Sequence, residues 1–287
     1  MAKSKAGGTR TYLRGRVGSD VYSIGKDGKG KKQQVVRSLA EFVANPQTTA
    51  QMRGRMIMST VMQAQSALVQ LIDHSFDNVS AGQPSISEFI RRNYALVKAD
   101  VAAHPASGNF FGLNKYGEKG VKGGKWVIAA GVAVLPTAIT FDAGGVIIGL
   151  TATTMTVGGL KAALGITSEE YITVVQITEG GEAVFARLYL STTLPDSTAI
   201  SGTNLDSLFT IEGNVVPTLS IDENSIVITC AQGSSLAAGV IISKKSGAKF
   251  IHNDAVMACN ASQSYPEDTA LPTYPTGTEK FLNGGNL

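Results

Sequence analysis

The spacing of apolar residues changes twice along this chain, and each change marks a different kind of element. Val17, Ser19, Val21 and Ser23 alternate with Asp20, Tyr22 and Ile24. That two-residue period predicts a strand. GKDGKG at 25–30 carries the Asp-Gly chemistry of a hairpin loop, and Gln33–Arg37 reads as the returning strand. The period then lengthens. Ile57, Val61, Ala64, Leu68 and Ile72 stand four, three, four and four apart, which places them on one face of a helix over 48–73. Met52, Met56, Met58 and Met62 widen its apolar surface, so one side is expected to meet the body and another a neighbour. Thr48 or Thr49, after the Asn45-Pro46 turn, is the expected N-cap. A second helix begins at Ser85-Ile86-Ser87-Glu88, a capping-box sequence, with Ile86, Ile90, Tyr94 and Val97 as its buried stripe. It should end before His104-Pro105.

From Trp126 the two-residue period returns. Strands are predicted at 126–134, 137–142, 145–150, 171–177, 183–190, 205–211, 214–221, 225–230, 238–243 and 254–259, with one helical turn in 160–168. Short strands at 8–12-residue intervals argue for an antiparallel sandwich. The expected fold is therefore α+β: a basic β-hairpin and two helices, then an immunoglobulin-like β-sandwich body. The corresponding division is 1–104 (basic arm, hairpin and helices), 105–125 (glycine-rich linker), 126–260 (sandwich) and 261–287 (extended arm with three prolines).

Charge changes this picture more than composition does. Residues 1–55 hold twelve Lys and Arg against Asp20, Asp27 and Glu41, a balance of +9 in a chain whose total is +3; the remainder therefore carries −6. Only 16% of the 287 residues are charged, below the roughly 25% of ordinary soluble domains. A basic front on an acidic body is steered toward nucleic acid or toward the acidic face of a neighbouring subunit. Arg14, Arg16, Lys26, Lys29, Lys31, Lys32 and Arg37 are the candidate contacts, and Met52, Met56, Met58 and Met62 the candidate helix interface.

Catalytic chemistry is harder to find. His74, His104 and His252 are far apart and lack a metal-like i, i+4 partner. Gly233-Ser234-Ser235-Leu236-Ala237 lacks the final glycine of a nucleophile elbow. The glycine-lysine runs at 25–32 and 117–125 lack G-x-x-x-x-G-K-[ST]. No catalytic residue, metal ligand or cofactor is expected. Cys230 and Cys259 read as small buried hydrophobes, with a cross-strand disulfide left open. Pro136 and paired glycines break the apolar stretch 127–160 into buried sheet rather than a membrane span, and MAKSKAGGTR has no apolar signal-peptide core.

The order of parts has a parallel. Gly-Arg-Val-Gly (15–18), Val-Arg-Ser (36–38), Asn-Pro-Gln-Thr (45–48) and the Gln/Arg/Met-rich helix together resemble an uncharacterised family of Bacteroidetes genomes and their phages. There a basic hairpin and N-P-[RQ]-T turn precede a helix and a β-sandwich. The stretch 237–260 resembles the closing hairpin of such sandwiches. The resemblance covers roughly 13–75 and 168–260, while 127–160 departs from it. It implies a structural protein of crAss-like tailed phages. The expectation is a non-enzymatic virion protein, a connector, tail ring or capsid accessory assembled in the host cytoplasm. Its expected partners are copies of itself, other virion proteins and, non-specifically, packaged DNA. A bacterial immunoglobulin-like binding module and an architectural nucleic-acid binder are the alternatives.

Overall fold

The computed structural model describes residues 3–4, 13–26, 31–38, 49–77, 79, 84–103, 121 and 123–259. The expected turn at 45–48, most of the 105–125 linker and the arm at 261–287 lie outside them. The chain divides into two units, Met1–Gln47 and Thr48–Leu287.

The first unit is an antiparallel sheet of four strands in chain order: β1 (Lys3–Ser4), β2 (Leu13–Val17), β3 (Asp20–Lys26) and β4 (Lys32–Ser38). The β3–β4 hairpin forms where Asp-Gly calls for it, with Lys26 opposite Lys32. The alternation that begins at Val17 is nevertheless interrupted. Gly18, at φ 61°, lets the chain reverse between β2 and β3, because only glycine takes the left-handed region without a Cβ penalty. The expected single hairpin is thus a meander.

The second unit is α+β with a β-sandwich body. Helix α1 (Thr49–Ile72) and helix α2 (Ser85–Ala103) precede β5 (Val127–Ala129), β6 (Ile139–Asp142), β7 (Gly145–Gly149) and helix α3 (Val157–Leu164). Then come β8 (Tyr171–Thr178), β9 (Ala183–Leu190), β10 (Phe209–Gly213), β11 (Thr218–Asp222) and β12 (Ser225–Thr229). Last are β13 (Ser235–Ser246), β14 (Lys249–His252), β15 (Ala255–Val256) and β16 (Ala258–Cys259). The central sheet runs β10-β9-β8-β13-β14, with β16 beside β13; the outer sheet runs β11-β12-β7-β6, and β15 pairs with β5.

Strand alternation divides the central sheet between two cores. Val175, Ile177, Phe185, Ala237 and Ile241 pack with Met56, Ile57, Val61, Ala64, Leu68 and Ile72 of α1, Phe89 and Val97 of α2, and Trp126. Ile172, Val174, Ala186, Leu188, Val240 and Ile242 point the other way, onto Ile148, Ile226 and Ile228 of the outer sheet and Leu160 and Leu164 of α3. Helices, central sheet and outer sheet are therefore three layers of one unit. The division expected at 104 is corrected accordingly: the helices share a core with the sheets, and the boundary falls at Gln47.

Three local expectations also need correction. Glu88 does not close a capping box; Arg91 and Arg92 of the following turn take its carboxylate at 2.6–2.8 Å. Residues 205–211 do not form one strand. Asn204 bonds Ser201 and Ala199 locally, and a 3-10 turn at Leu205–Ser207 precedes β10. The 127–160 stretch is only partly buried sheet, since Val132 and Val134 are exposed and 157–164 is helical. The two cysteines, read as small hydrophobes with a disulfide left open, are both free, Cys230 buried and Cys259 half-buried. Cys230 belongs to the core facing the outer sheet and Cys259 packs against the core facing the helices, so the central sheet separates them. No helix among the described residues is long and apolar enough to cross a membrane.

Candidate functional site

Strand register sorts the predicted basic patch by face. Arg16 and Arg37 both pair with Val21 across the first sheet, so these two arginines share one face; Arg14 pairs with Lys3 on β1, across Gly15 at φ 110°. All three arginines are exposed; Arg16 Nε donates to Gly18 O at 2.9 Å. Lys32 falls on the opposite face, in register with Lys26. Lys31 is exposed just before β4, and Lys29 lies outside the described residues. Val35 and Val36, on opposite faces, are 38% and 50% exposed. Among the residues of this unit whose side chains are described, none is buried.

The methionines also divide. Met56 is fully buried in the helix-side core, whereas Met58 and Met62 are exposed together with Val69. Spacings of four and seven put these three on one face of α1, turned away from the core. The side chain of Met52 lies outside the described residues.

A third surface has no counterpart among the sequence expectations. The helices cover only one end of their face of the central sheet. At the other end, register places Thr210, Tyr189, Tyr171, Ser243 and His252 in one row across five strands, with Glu212, Arg187 and Thr173 in the next row. The Tyr171 ring lies 4.9 Å from Tyr189 and 5.4 Å from Phe250, centroid to centroid. Arg187 stands over Tyr171 at 5.9 Å and over Phe185 at 5.8 Å. Its Nη2 donates to Gln70 O at 3.3 Å, in the last turn of α1, which has no basic residue of its own. Burial, followed by the nearby Glu212 carboxylate, raises the Tyr189 hydroxyl above its ordinary pKa.

Open clefts flank this row. One, of about 410 Å³, is lined by Val69, Gln70, Asp73, His74, Phe185 and Arg187. A 120 Å³ recess shares Gln70, His74 and Arg187 with it and reaches His252. On the other side, Ser168, Ser191, Thr193, Thr210 and Glu212 line a cleft of about 310 Å³. The fold thus brings together His74 and His252, which are remote in sequence. Their surroundings differ. The His74 side chain is almost fully exposed, 3.6 Å from Asp73. His252 is buried; its backbone N–H donates to Asp77 Oδ2 at 2.6 Å and its Nδ1 meets Asp77 Oδ1 at 2.7 Å.

Among the described residues no group of three or more His, Cys, Asp or Glu side chains is arranged to hold a metal ion. Ser235, in the half-formed elbow sequence, gives its hydroxyl to Ile177 O at 3.2 Å, beside the irregularity where β13 joins β8. The Cys230 thiol is pushed up to about 12 and the Cys259 thiol to about 11, in both cases chiefly by burial. Both are protonated at neutral pH and poor nucleophiles. No protein-family model, curated protein or solved structure matches the chain.

Proposed function

We propose that this chain is a non-enzymatic structural subunit of a tailed-phage virion, assembling into a ring or lattice such as a portal–tail connector, tail ring or capsid accessory. One observation carries the assembly reading: the first unit is a four-stranded sheet in which none of the residues whose side chains are described is buried. A sheet gains independent stability by burying a face. Here both faces carry exposed valine, one of them beside Arg16 and Arg37, and a partner surface supplies the missing burial. The acidic remainder of a neighbouring copy suits that arginine face, and head-to-tail contacts of this kind close into rings when the rotation allows. The exposed Met58, Met62 and Val69 on α1 offer the second contact, since methionine adapts to irregular apolar partners. The phage setting rests on the order of parts in the sequence.

Light scattering of the size-fractionated full chain at micromolar concentration tests this. The native chain runs as a defined oligomer. Arg14→Glu, Arg16→Glu and Arg37→Glu combined dissociate it, and so does salt near 1 M, where screening shortens to about 3 Å. A monomer at every concentration overturns the reading.

A further inference from the structure

We propose that the open end of the central sheet is a binding site for a neutral polysaccharide, with Tyr171, Tyr189 and Phe250 as its stacking platform. Aromatic rings on neighbouring strands are common cross-strand pairs, and in a covered sheet they would be core. Here they are only partly covered. Tyr171 and Tyr189 are half-buried and Phe250 is 41% exposed. The rings turn by 42° and then 59° from one to the next, so the platform is curved rather than flat.

The ligand class follows from what surrounds the rings. A pyranose presents C–H bonds on its faces and hydroxyls around its rim. The C–H faces carry slight positive charge and suit the negative face of an aromatic ring. The hydroxyls need donors and acceptors on both sides, and the flanking clefts supply them: Ser191, Thr193, Thr210 and Glu212 on one side, Gln70 and Arg187 on the other. Clefts of about 310 and 410 Å³ lie at the small end of the range for ligand sites. Ser243 and His252 are buried, so the accessible part of the row runs over Thr210, Tyr189 and Tyr171, three strands at about 4.8 Å spacing, or about 10 Å, with Phe250 beyond Tyr171.

Charge selects against a polyanion. Arg187 faces Glu212 in register, and Lys245 is paired with Glu169. The platform therefore lacks the surplus of cations that holds a phosphate backbone. Arg187 acts as a positioning residue, tied to the end of α1 and standing 5.9 Å from the centroid of one face of the Tyr171 ring. The proposal is independent of the assembly reading and survives its failure.

Affinity electrophoresis of the full chain through gels containing dextran, laminarin, mannan or xylan tests it, with single-stranded oligothymidine as the anionic comparison. Retardation by at least one polysaccharide is expected. Phe250→Ala and Tyr171→Ala each weaken it about tenfold, as loss of an aromatic contact does, while Tyr171→Phe keeps it. Phe250 and Glu212 are exposed, so Phe250→Ala and Glu212→Gln read the site even where Tyr171→Ala fails to fold. Three results overturn the proposal: no retardation by any of the four, retardation undiminished in Phe250→Ala, or tighter binding to oligothymidine than to every polysaccharide.

Discussion

Asn93 is fully buried on α2, in the middle of a stripe that sequence periodicity makes apolar. Its Oδ1 accepts the Val127 N–H at 2.8 Å, and its Nδ2 donates to Val127 O at 2.9 Å and to Phe89 O at 3.0 Å. One side chain thereby replaces a strand neighbour for β5 and joins helix to sheet. Gln176, also fully buried, does the same on the other side, accepting from Cys230 N and Ala231 N and donating to Gly144 O. Gly131 is a third such position. A Cβ there would come within 2.1 Å of both Asp77 Oδ2 and His252 O, so glycine is required where the Asp77–His252 contact closes. Glu88 makes a pH-dependent contribution. Hydrogen bonds from Arg91 first, then Arg92, lower its pKa to about 2. A carboxyl with a depressed folded pKa stabilises above its unfolded value of about 4.3, and the effect fades as pH falls toward the folded value. Glu88→Gln should cost about 1 kcal/mol at neutral pH, a modest figure because Arg91 is largely exposed. In paired thermal melts the gap from the native chain should shrink between pH 5 and pH 2; a gap constant with pH would refute this origin.

Helix α1 shows how far periodicity reaches. The seam at Ile57, Val61, Ala64, Leu68 and Ile72 is legible because a regular helix repeats its buried face, and all five residues are buried. The fate of the methionines was not legible, since spacing does not say which flank of a seam a neighbour covers. Replacing Met56 by Ala should cost about 3 kcal/mol in chemical denaturation, within the range for buried large-to-small changes. Met58→Ala should stay within about 0.5 kcal/mol for the isolated subunit; equal costs at both sites would contradict the assigned burial. Most body strands were also legible, because turn residues punctuate them. Their partners were not. Tyr171, Tyr189 and Phe250 each look like ordinary strand aromatics until register sets them side by side. His252 and Asp77 likewise meet across 175 residues of chain.

The division of the whole molecule was misplaced from sequence for a related reason. Charge and periodicity group the helices with the basic front, yet burial groups them with the sheets, because the helix-side core draws on both. The body encloses two cores, and the front sheet buries none of the residues whose side chains are described. The central pairing of β8 with β13, Val174 opposite Val240, has a further consequence for synthesis. As the chain leaves the ribosome, β8 emerges dozens of residues before the strand that will flank it. Until β13 follows, one long edge of an almost wholly buried strand stands open, a template for pairing with other nascent chains. A chain stopped at Thr229 should therefore be insoluble on expression, whereas one stopped at Cys259 should be recovered in the soluble fraction. Productive folding of this protein is timed by the arrival of one late strand.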